Sequence, residues 1–138
     1  MSSREVIENK ISFIQRELAS ARGAYGASAL DDLVKNRMVR GSLERDLYVI
    51  AQAVIDLAEA VVAYKRFRKP TTMREAFDIL AEQRVLSPEF VDRFHKIVGF
   101  RNILAHGYEA VSPAVLYDVL QNKLGEVEEF LNFIREHI

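Results

Sequence analysis

Apolar residues recur at spacings of three and four along almost the whole chain, and no stretch alternates between apolar and polar positions. This periodicity is typical of amphipathic helices, whereas half-buried strands alternate. The first predicted helix approaches its end at Gly23 and Gly26, and its apolar stripe comprises Val6, Ile7, Ile11, Ile14 and Leu18. The pattern predicts an all-α protein, an antiparallel up-and-down helical bundle with short connections.

The second predicted helix is the longest and extends over residues 33–66, up to the Lys69-Pro70 pair that would end it. Its apolar residues follow the spacing of a coiled-coil seam, formed by Leu47, Ile50, Val54, Leu57, Val61 and Tyr64. Other sides of the same helix carry Val49, Ile55 and Val62. Such a helix needs neighbours on more than one side, so we expect it at the centre of the bundle or in an oligomer interface.

Capping residues divide the remaining chain into three more helices, which are predicted to begin at Thr72, Ser87 and Ser112. The first of these should end near Arg84. The second should end near His106, because Gly107 is a natural C-terminal cap. The last helix carries its own apolar stripe, formed by Leu116, Val119, Leu120, Leu124, Val127, Phe130, Leu131 and Ile134.

The composition is that of a soluble protein with one domain over residues 1–138, since 49% of the residues are hydrophobic and 28% are charged. The sequence has no cysteine, which excludes disulfides and cysteine-based metal sites and favours the reducing cytoplasm. The first residues are polar and charged, so no signal peptide is predicted. No apolar run is predicted to span a membrane.

The formal net charge of −1 indicates that the chain as a whole does not attract nucleic acid strongly. The charge is nevertheless uneven: residues 1–70 carry 12 basic and 9 acidic side chains, and residues 71–138 carry 7 and 11. Residues 35–69 alone hold 8 basic and 4 acidic side chains. Such an excess is usually a set of solvated helix faces. A basic strip that binds phosphates is the alternative.

Three histidines are available for catalysis or metal binding, namely His95, His106 and His137. His137 lies near the end of the chain, where a positive charge favours the helix dipole, and His95 is most simply a structural histidine in an amphipathic helix. No pair of histidines has the spacing of a zinc site, and no glycine-rich phosphate loop is present. Neither a metal nor a cofactor is therefore predicted, and His106 remains as the candidate.

The segment around His106 places a cation, an amide and an imidazole near one helix end. Asn102 and His106 are four residues apart, so they share a helix face and can touch. Arg101 lies about 140° away around the axis, but its long side chain can extend toward the helix end. Ile103 and Leu104 are expected to point into the core between them. On spacing alone, a helix end stabilised by its dipole is the simpler explanation.

The segment RNILAHGY at residues 101–108 resembles the Arg-x4–6-His signature of the HEPN superfamily. More narrowly, its R-N-x3-H-x-Y pattern resembles the motif of HepT-like toxins. Residues 43–58 are similar to the long central helix of that family, and residues 77–80 and 94–102 are similar to the approach to its motif. The resemblance extends over residues 3–138.

This resemblance implies a homodimer in which the motifs of both subunits meet at a cleft on the two-fold axis. It implies a metal-independent endoribonuclease that acts as a toxin on RNA, with Arg101 and His106 as catalytic residues and Asn102 positioning the substrate. It also implies a partner, a minimal nucleotidyltransferase antitoxin of the MntA type, which transfers AMP to Tyr108.

RNA can be cut without a metal if its 2′-hydroxyl attacks the neighbouring phosphate, which requires a base, an acid and positive charge. His106 carries an imidazole, the side chain best suited to moving protons near neutral pH. Arg101 remains charged and offers a forked donor geometry that matches phosphate. A two-fold axis near His106 would bring the second histidine to the same cleft.

Two other hypotheses remain open from the sequence. One is a non-catalytic HEPN-like dimer that binds a nucleotide or its nucleotidyltransferase partner and cuts nothing. The other is a purely structural helical dimer, in which the motif only ends a helix. The net charge of −1 slightly favours the binding dimer, because nonspecific RNA affinity depends on neutralised phosphates.

Overall fold

A computed structural model describes residues 3–106 and 111–138 of the chain. In this part of the chain every regular element is a helix, which confirms the predicted fold class. The helices are α1 (Ser3–Tyr25), α2 (Leu30–Lys35), α3 (Arg37–Tyr64), α4 (Met73–Glu82), α5 (Pro88–Phe94), α6 (Lys96–His106), α7 (Pro113–Asp118) and α8 (Leu124–His137). Gly107, which the sequence suggested as a helix cap, lies outside the described residues.

The predicted central helix is confirmed as α3, which contacts α1, α2, α4, α6 and α7. The seam residues of α3 are buried except for Tyr64, which is half-buried at the helix end. On α1 the predicted stripe is also buried except for Val6, which is exposed. Burial of these two stripes against each other supplies much of the core, because each fully buried aliphatic side chain contributes about 1.5–3 kcal/mol.

The long predicted helix over residues 33–66 is wrong at Asn36, where α2 ends and α3 begins. The backbone of Asn36 is extended, with φ −108° and ψ 98°. Its side-chain oxygen accepts hydrogen bonds from the backbone N–H groups of Met38 and Val39 at 3.1 Å each. Asparagine competes with the helix in this way because its short side chain satisfies the first unpaired N–H groups of a new helix.

The far ends of α3 and α4 are also earlier than the sequence suggested. After α3, Arg66 adopts φ 56°, and the N–H of Phe67 donates to the carbonyl of Val62. After α4, Arg84 adopts φ 61°, and the N–H of Val85 donates to the carbonyl of Leu80. Both ends are Schellman caps with arginine at the left-handed position that usually holds glycine. The Lys69-Pro70 pair therefore follows the end of α3 rather than causing it.

The helix predicted from Ser87 to His106 is divided at His95 into α5 and α6. Ser87 is the N-cap, as predicted, and its hydroxyl accepts from the N–H of Phe90 at 3.2 Å. At the division, the N–H of Val98 donates to the carbonyl of His95, three residues back, so the backbone tightens locally. Beyond this point α6 packs on α3.

Ser112 is confirmed as the N-cap of the last helical segment, and Pro113 occupies its first position. The segment is not uniform, because α7 continues through one π-helical turn, Val119–Lys123, into α8. The predicted apolar stripe is buried along its whole length except for Val119, which is half-buried within that turn. An i→i+5 turn shifts the phase of a helix, and α8 still keeps its buried stripe in the core.

An aromatic cluster connects α4, α5 and α8. The ring of Phe77 lies 5.8 Å from that of Phe94 and 5.9 Å from that of Phe130, measured between centroids. Phe90 extends the cluster, with its ring 4.7 Å from Phe94 and 5.1 Å from Phe133. Offset and edge-to-face pairs of this kind add about 0.5–1.5 kcal/mol each beyond the burial of their area.

The hydropathy of α3 reaches the range of a membrane-spanning helix, with a mean hydropathy of 1.6 over an 18-residue window. By length and composition α3 could span a membrane, so the expectation that no apolar run could do so is wrong for this helix. Half of that window is buried inside the bundle, and five other helices contact α3. We therefore interpret α3 as the core helix of a soluble protein.

The connection between α3 and α4 is held by Arg68, whose guanidinium bonds to Glu75 at 2.8 Å and to Glu82 at 2.6 Å. The Thr71 hydroxyl also donates to Glu75, and this bond, with help from Arg68, holds the pKa of Glu75 below its ordinary value. The hydrogen bond from Arg68 lowers the pKa of Glu82. Exposed pairs of this kind contribute little individually.

Acid should therefore remove the contribution of Arg68. Carboxylates with a lowered pKa stabilise the fold above their unfolded pKa, and that stabilisation disappears as the pH falls through the folded value. Arg68→Ala should lower the urea midpoint slightly at about pH 7 and hardly at all at about pH 3. An equal deficit at both pH values would contradict this origin.

Candidate functional site

Helix α6 carries Arg101, Asn102 and His106 of the predicted motif, and none of the helix residues is buried. Leu104 is half-buried and Ile103 is 55% exposed, so the expectation that both point into the core is wrong for Ile103. One side of α6 packs on α3, and on the other side the described residues leave the apolar side chain of Ile103 exposed. Exposed apolar surface on a helix commonly marks contact with another molecule.

Arg101 is half-buried where α6 packs on α3. Its Nε donates a hydrogen bond to Oε1 of Gln52 at 2.6 Å, and its Nη1 donates to Oδ1 of Asn102 at 2.9 Å. The guanidinium carbon lies 5.7 Å from the ring centroid of Tyr48, within the range of a cation–π contact. Neither hydrogen bond uses Nη2.

Asn102 lies next to Arg101 and orients its amide oxygen toward the guanidinium. The sequence spacing placed Asn102 and His106 on one helix face, and the structure adds a definite contact with Arg101. Both Arg101 and Asn102 are half-buried, so the pair is shielded on one side and open on the other. An arginine whose Nη2 takes part in neither of these two hydrogen bonds is suited to bind phosphate.

His106 is exposed and is the last residue of α6. Its position five residues after Arg101 places the two Cα atoms about 7.5 Å apart along the helix axis. Tyr108, the predicted modification site, lies outside the described residues. The predicted site is thus described for Arg101, Asn102 and His106, all on the final turns of α6.

Two residues of α3 that were not predicted from the sequence lie beside Arg101, and a third bonds to one of them. Tyr48 and Gln52 contact Arg101 directly, and Nε2 of Gln52 donates to Oδ1 of Asp56 at 2.9 Å. The three are spaced by four, so they form one polar row on a helix that is otherwise rich in core residues. A polar row on a helix that is otherwise apolar is visible in the sequence and could have indicated these residues.

The other two histidines have local structural contacts, as the sequence suggested. Nδ1 of His95 lies 2.8 Å from the carbonyl oxygen of Val91, and Nδ1 of His137 lies 2.7 Å from that of Phe133. Within residues 3–106 and 111–138, no three histidine or carboxylate side chains gather as a metal site would require.

Several of the basic side chains in residues 35–69 form ion pairs or hydrogen bonds with other groups of the chain. Lys35 pairs with Asp31 at 2.9 Å, and Arg40 donates to backbone carbonyls of α2. Arg68 is committed to the two glutamates of α4. These pairings favour the structural explanation of the charge excess over a continuous phosphate-binding strip.

Comparison with known proteins gives a family model, described as Ribonuclease HepT-like, that matches residues 14–134. An mRNA nuclease HepT from Shewanella oneidensis is 26% identical over 131 residues, covering 95% of this chain and 97% of that protein. A tRNA nuclease HepT from Aphanizomenon flos-aquae is 26% identical over 133 residues, covering 96% of this chain and 90% of that protein.

Among solved structures, a tri-AMPylated HEPN toxin from Shewanella oneidensis in complex with its MNT antitoxin superimposes with a TM-score of 0.87. The identity is 26%, and the match covers 99% of this chain and all of that one. The helical fold, the motif residues on α6 and the family model therefore all indicate the same family. The chain belongs to the HepT-like ribonuclease family.

Proposed function

We propose that this chain is the toxin of a toxin–antitoxin pair, a cytoplasmic endoribonuclease of one domain that cuts RNA without a metal. The observation that carries the proposal is the fixed Arg101 guanidinium, which bonds to Gln52 and Asn102 five residues before the exposed His106. The HepT relatives, which are named mRNA and tRNA nucleases, support the same activity.

The proposed reaction uses the substrate's own 2′-hydroxyl as nucleophile. A histidine removes its proton, the 2′-oxygen forms a bond to phosphorus, and the bond from phosphorus to the 5′-oxygen breaks. A proton from a second acid neutralises that leaving oxygen, so the products carry a 2′,3′-cyclic phosphate and a 5′-hydroxyl. Arg101 stabilises the extra negative charge on the phosphorus centre. Asn102 positions the substrate phosphate beside it.

The activity is tested directly with purified protein, a mixed RNA pool and excess EDTA. We expect fragments to accumulate in EDTA at the same rate as in magnesium, because neither Arg101 nor His106 needs a metal to act. Complete loss of cleavage in EDTA, restored by magnesium, would contradict the proposal.

A dimer would complete the site, because one chain supplies a single His106 whereas the reaction needs both a base and an acid. The apolar face of α6 that the described residues leave uncovered supports this arrangement. Ile103 on that face is 55% exposed. For Gly99, one turn earlier, no described atom apart from its chain neighbours and its own helix backbone lies within 4 Å of the position where a Cβ would lie. A second copy of α6 can therefore approach closely at this point.

Ile103→Glu is expected to convert the dimer to monomer and to lower RNA cleavage to the level of the inactive variants. A buried unpaired carboxylate at a two-fold interface is opposed by its own copy, and each ion loses hydration. Light scattering and a cleavage assay measure the two effects. Val115→Glu, at the 44% exposed valine of α7, is the matched control. A fully active Ile103→Glu dimer would refute this interface.

We also propose that a minimal nucleotidyltransferase silences the toxin by joining AMP to the phenolic oxygen of Tyr108. The Shewanella oneidensis toxin of this fold is tri-AMPylated and in complex with its MNT antitoxin. Tyr108 follows His106 by two residues. An added phosphate and adenosine there would compete with RNA for Arg101 by charge and by volume.

Co-expression with a minimal nucleotidyltransferase antitoxin of the MntA type should add AMP to the wild type and abolish its cleavage of RNA. Tyr108→Phe should remain active and should gain no AMP at this position, because phenylalanine lacks the accepting oxygen. Mass spectrometry of the intact protein and its peptides measures the modification. AMP found only at another residue would refute Tyr108 as the site.

A second candidate function is a non-catalytic HEPN-like dimer that binds a nucleotide or its nucleotidyltransferase. The net charge of −1 favours it, because weak nonspecific affinity for RNA suits a binding module better than a nuclease. In that case Arg101 would hold a phosphate and no RNA would be cut. The EDTA assay separates the two functions.

A further inference from the structure

Three polar side chains form a row along α3 opposite the motif helix. Tyr48, Gln52 and Asp56 are spaced by four, so they lie on one face of a helix whose other faces are mostly apolar. Gln52 is the middle member, and it bonds to Asp56 on one side and to Arg101 on the other, at 2.9 Å and 2.6 Å. A hydrogen bond therefore connects the row to the guanidinium of Arg101.

Arg101 is constrained from three directions by these contacts. Gln52 holds Nε, Asn102 holds Nη1, and the ring of Tyr48 lies 5.7 Å from the guanidinium carbon. A free arginine side chain has many rotamers, and fixing one of them before the substrate arrives removes that entropic cost from the reaction. The edge that carries Nη2 is left out of both hydrogen bonds.

We propose that Gln52 is a positioning residue for Arg101 and that Asp56 fixes the orientation of the Gln52 amide. The inference rests on the proposed ribonuclease function. A glutamine amide has one acceptor and one donor end, and only the oxygen can accept from Arg101 Nε. Asp56 binds the NH2 end, so the opposite orientation would lose two hydrogen bonds at once.

A neutral acceptor suits this role better than a carboxylate. Glutamate at the same place would form a charge-assisted pair with Arg101 and cancel much of the charge that attracts phosphate. Gln52 instead holds the guanidinium while leaving its full charge for the substrate. The two replacements Gln52→Met and Gln52→Glu therefore separate loss of position from loss of charge.

Cleavage kinetics with a defined RNA form the first arm of the test. Gln52→Met should lower kcat by roughly 10–100-fold with KM little changed, because Arg101 remains charged but is misplaced. Gln52→Glu should in addition raise KM. Gln15→Glu, the same substitution at an exposed glutamine of α1, should behave as wild type. Adding Gln52→Met to Arg101→Ala should cause no further loss. Wild-type kinetics in Gln52→Met, or a fully multiplicative loss in the double variant, would overturn the proposal.

Hydrogen exchange at Arg101 Nε forms the second arm and does not depend on activity. We expect its N–H signal in proton–nitrogen NMR, identified by its absence in Arg101→Ala, to exchange slowly in the wild type and at least tenfold faster in Gln52→Met. Equal exchange rates would overturn the positioning role. If this difference appears but the wild type cuts no RNA, the ribonuclease proposal fails and the contact between Gln52 and Arg101 stands.

Discussion

Replacing His106 with alanine is expected to lower the rate of RNA cleavage by roughly 10²–10⁴-fold, the usual contribution of a general acid or base. Replacing Arg101 with alanine is expected to lower it by about 10²–10³-fold, because a charge that stabilises the developing phosphorane is lost. Arg101→Lys should recover little activity, since a point charge cannot bond to Gln52 and Asn102 and still present a fork to phosphate.

Single-turnover cleavage of one labelled RNA measures these effects. Arg4→Ala is the matched control, because Arg4 lies on the first turns of α1 and pairs with Glu8, one helical turn away, at 3.0 Å. It should cleave as the wild type does. Equal activity in the wild type, His106→Ala and Arg101→Ala would show that a contaminant cuts the RNA and would refute the site.

Phe77→Ala is expected to destabilise the fold by about 3–5 kcal/mol, the largest stability change of any substitution considered. Phe77 is fully buried, and its ring contacts Phe94 and Phe130, so truncation opens a cavity where α4, α5 and α8 meet. Chemical denaturation measures the loss. Phe13→Ala is the matched control, because Phe13 on α1 is 37% exposed and should cost much less. Similar losses in both variants would contradict this description of the core.

Much of the fold follows from periodicity alone. The stripes of α1, α3 and α8 were predictable because an intramolecular core imposes a spacing of three and four on every helix that faces it. Ser87 and Ser112 were predictable as helix starts because serine followed by proline satisfies the first turn of a helix and suits its backbone. These signals are local in the sequence, and the structure follows them.

The differences arise where local and tertiary effects compete. Asn36 and His95 interrupt stretches whose apolar pattern is continuous, because Asn36 caps a new helix with its side chain and the backbone tightens at His95. Arg66 and Arg84 occupy left-handed positions that favour glycine, so the sequence placed both helix ends two residues too late. The π-helical turn at Val119–Lys123 does not interrupt the apolar stripe of the last helical segment, so the sequence pattern could not predict it.

Ile103 shows a different limit of prediction from the sequence. Its apolar side chain fits a helix face that needs covering, but periodicity does not say whether the chain or a second molecule covers it. The structure leaves it 55% exposed, which favours a partner. Gln52 was missed for a related reason: its contact with Arg101 joins residues 49 positions apart, and no local window contains both.

End-group analysis of the RNA fragments made in excess EDTA tests the central claim most directly. If Arg101 and His106 promote attack by the 2′-hydroxyl, every new 3′ end carries a 2′,3′-cyclic phosphate or its opened monophosphate, and every new 5′ end is a hydroxyl. His106→Ala should produce neither. Fragments with 3′-hydroxyl and 5′-phosphate ends, from the wild type or from His106→Ala, would contradict the claim.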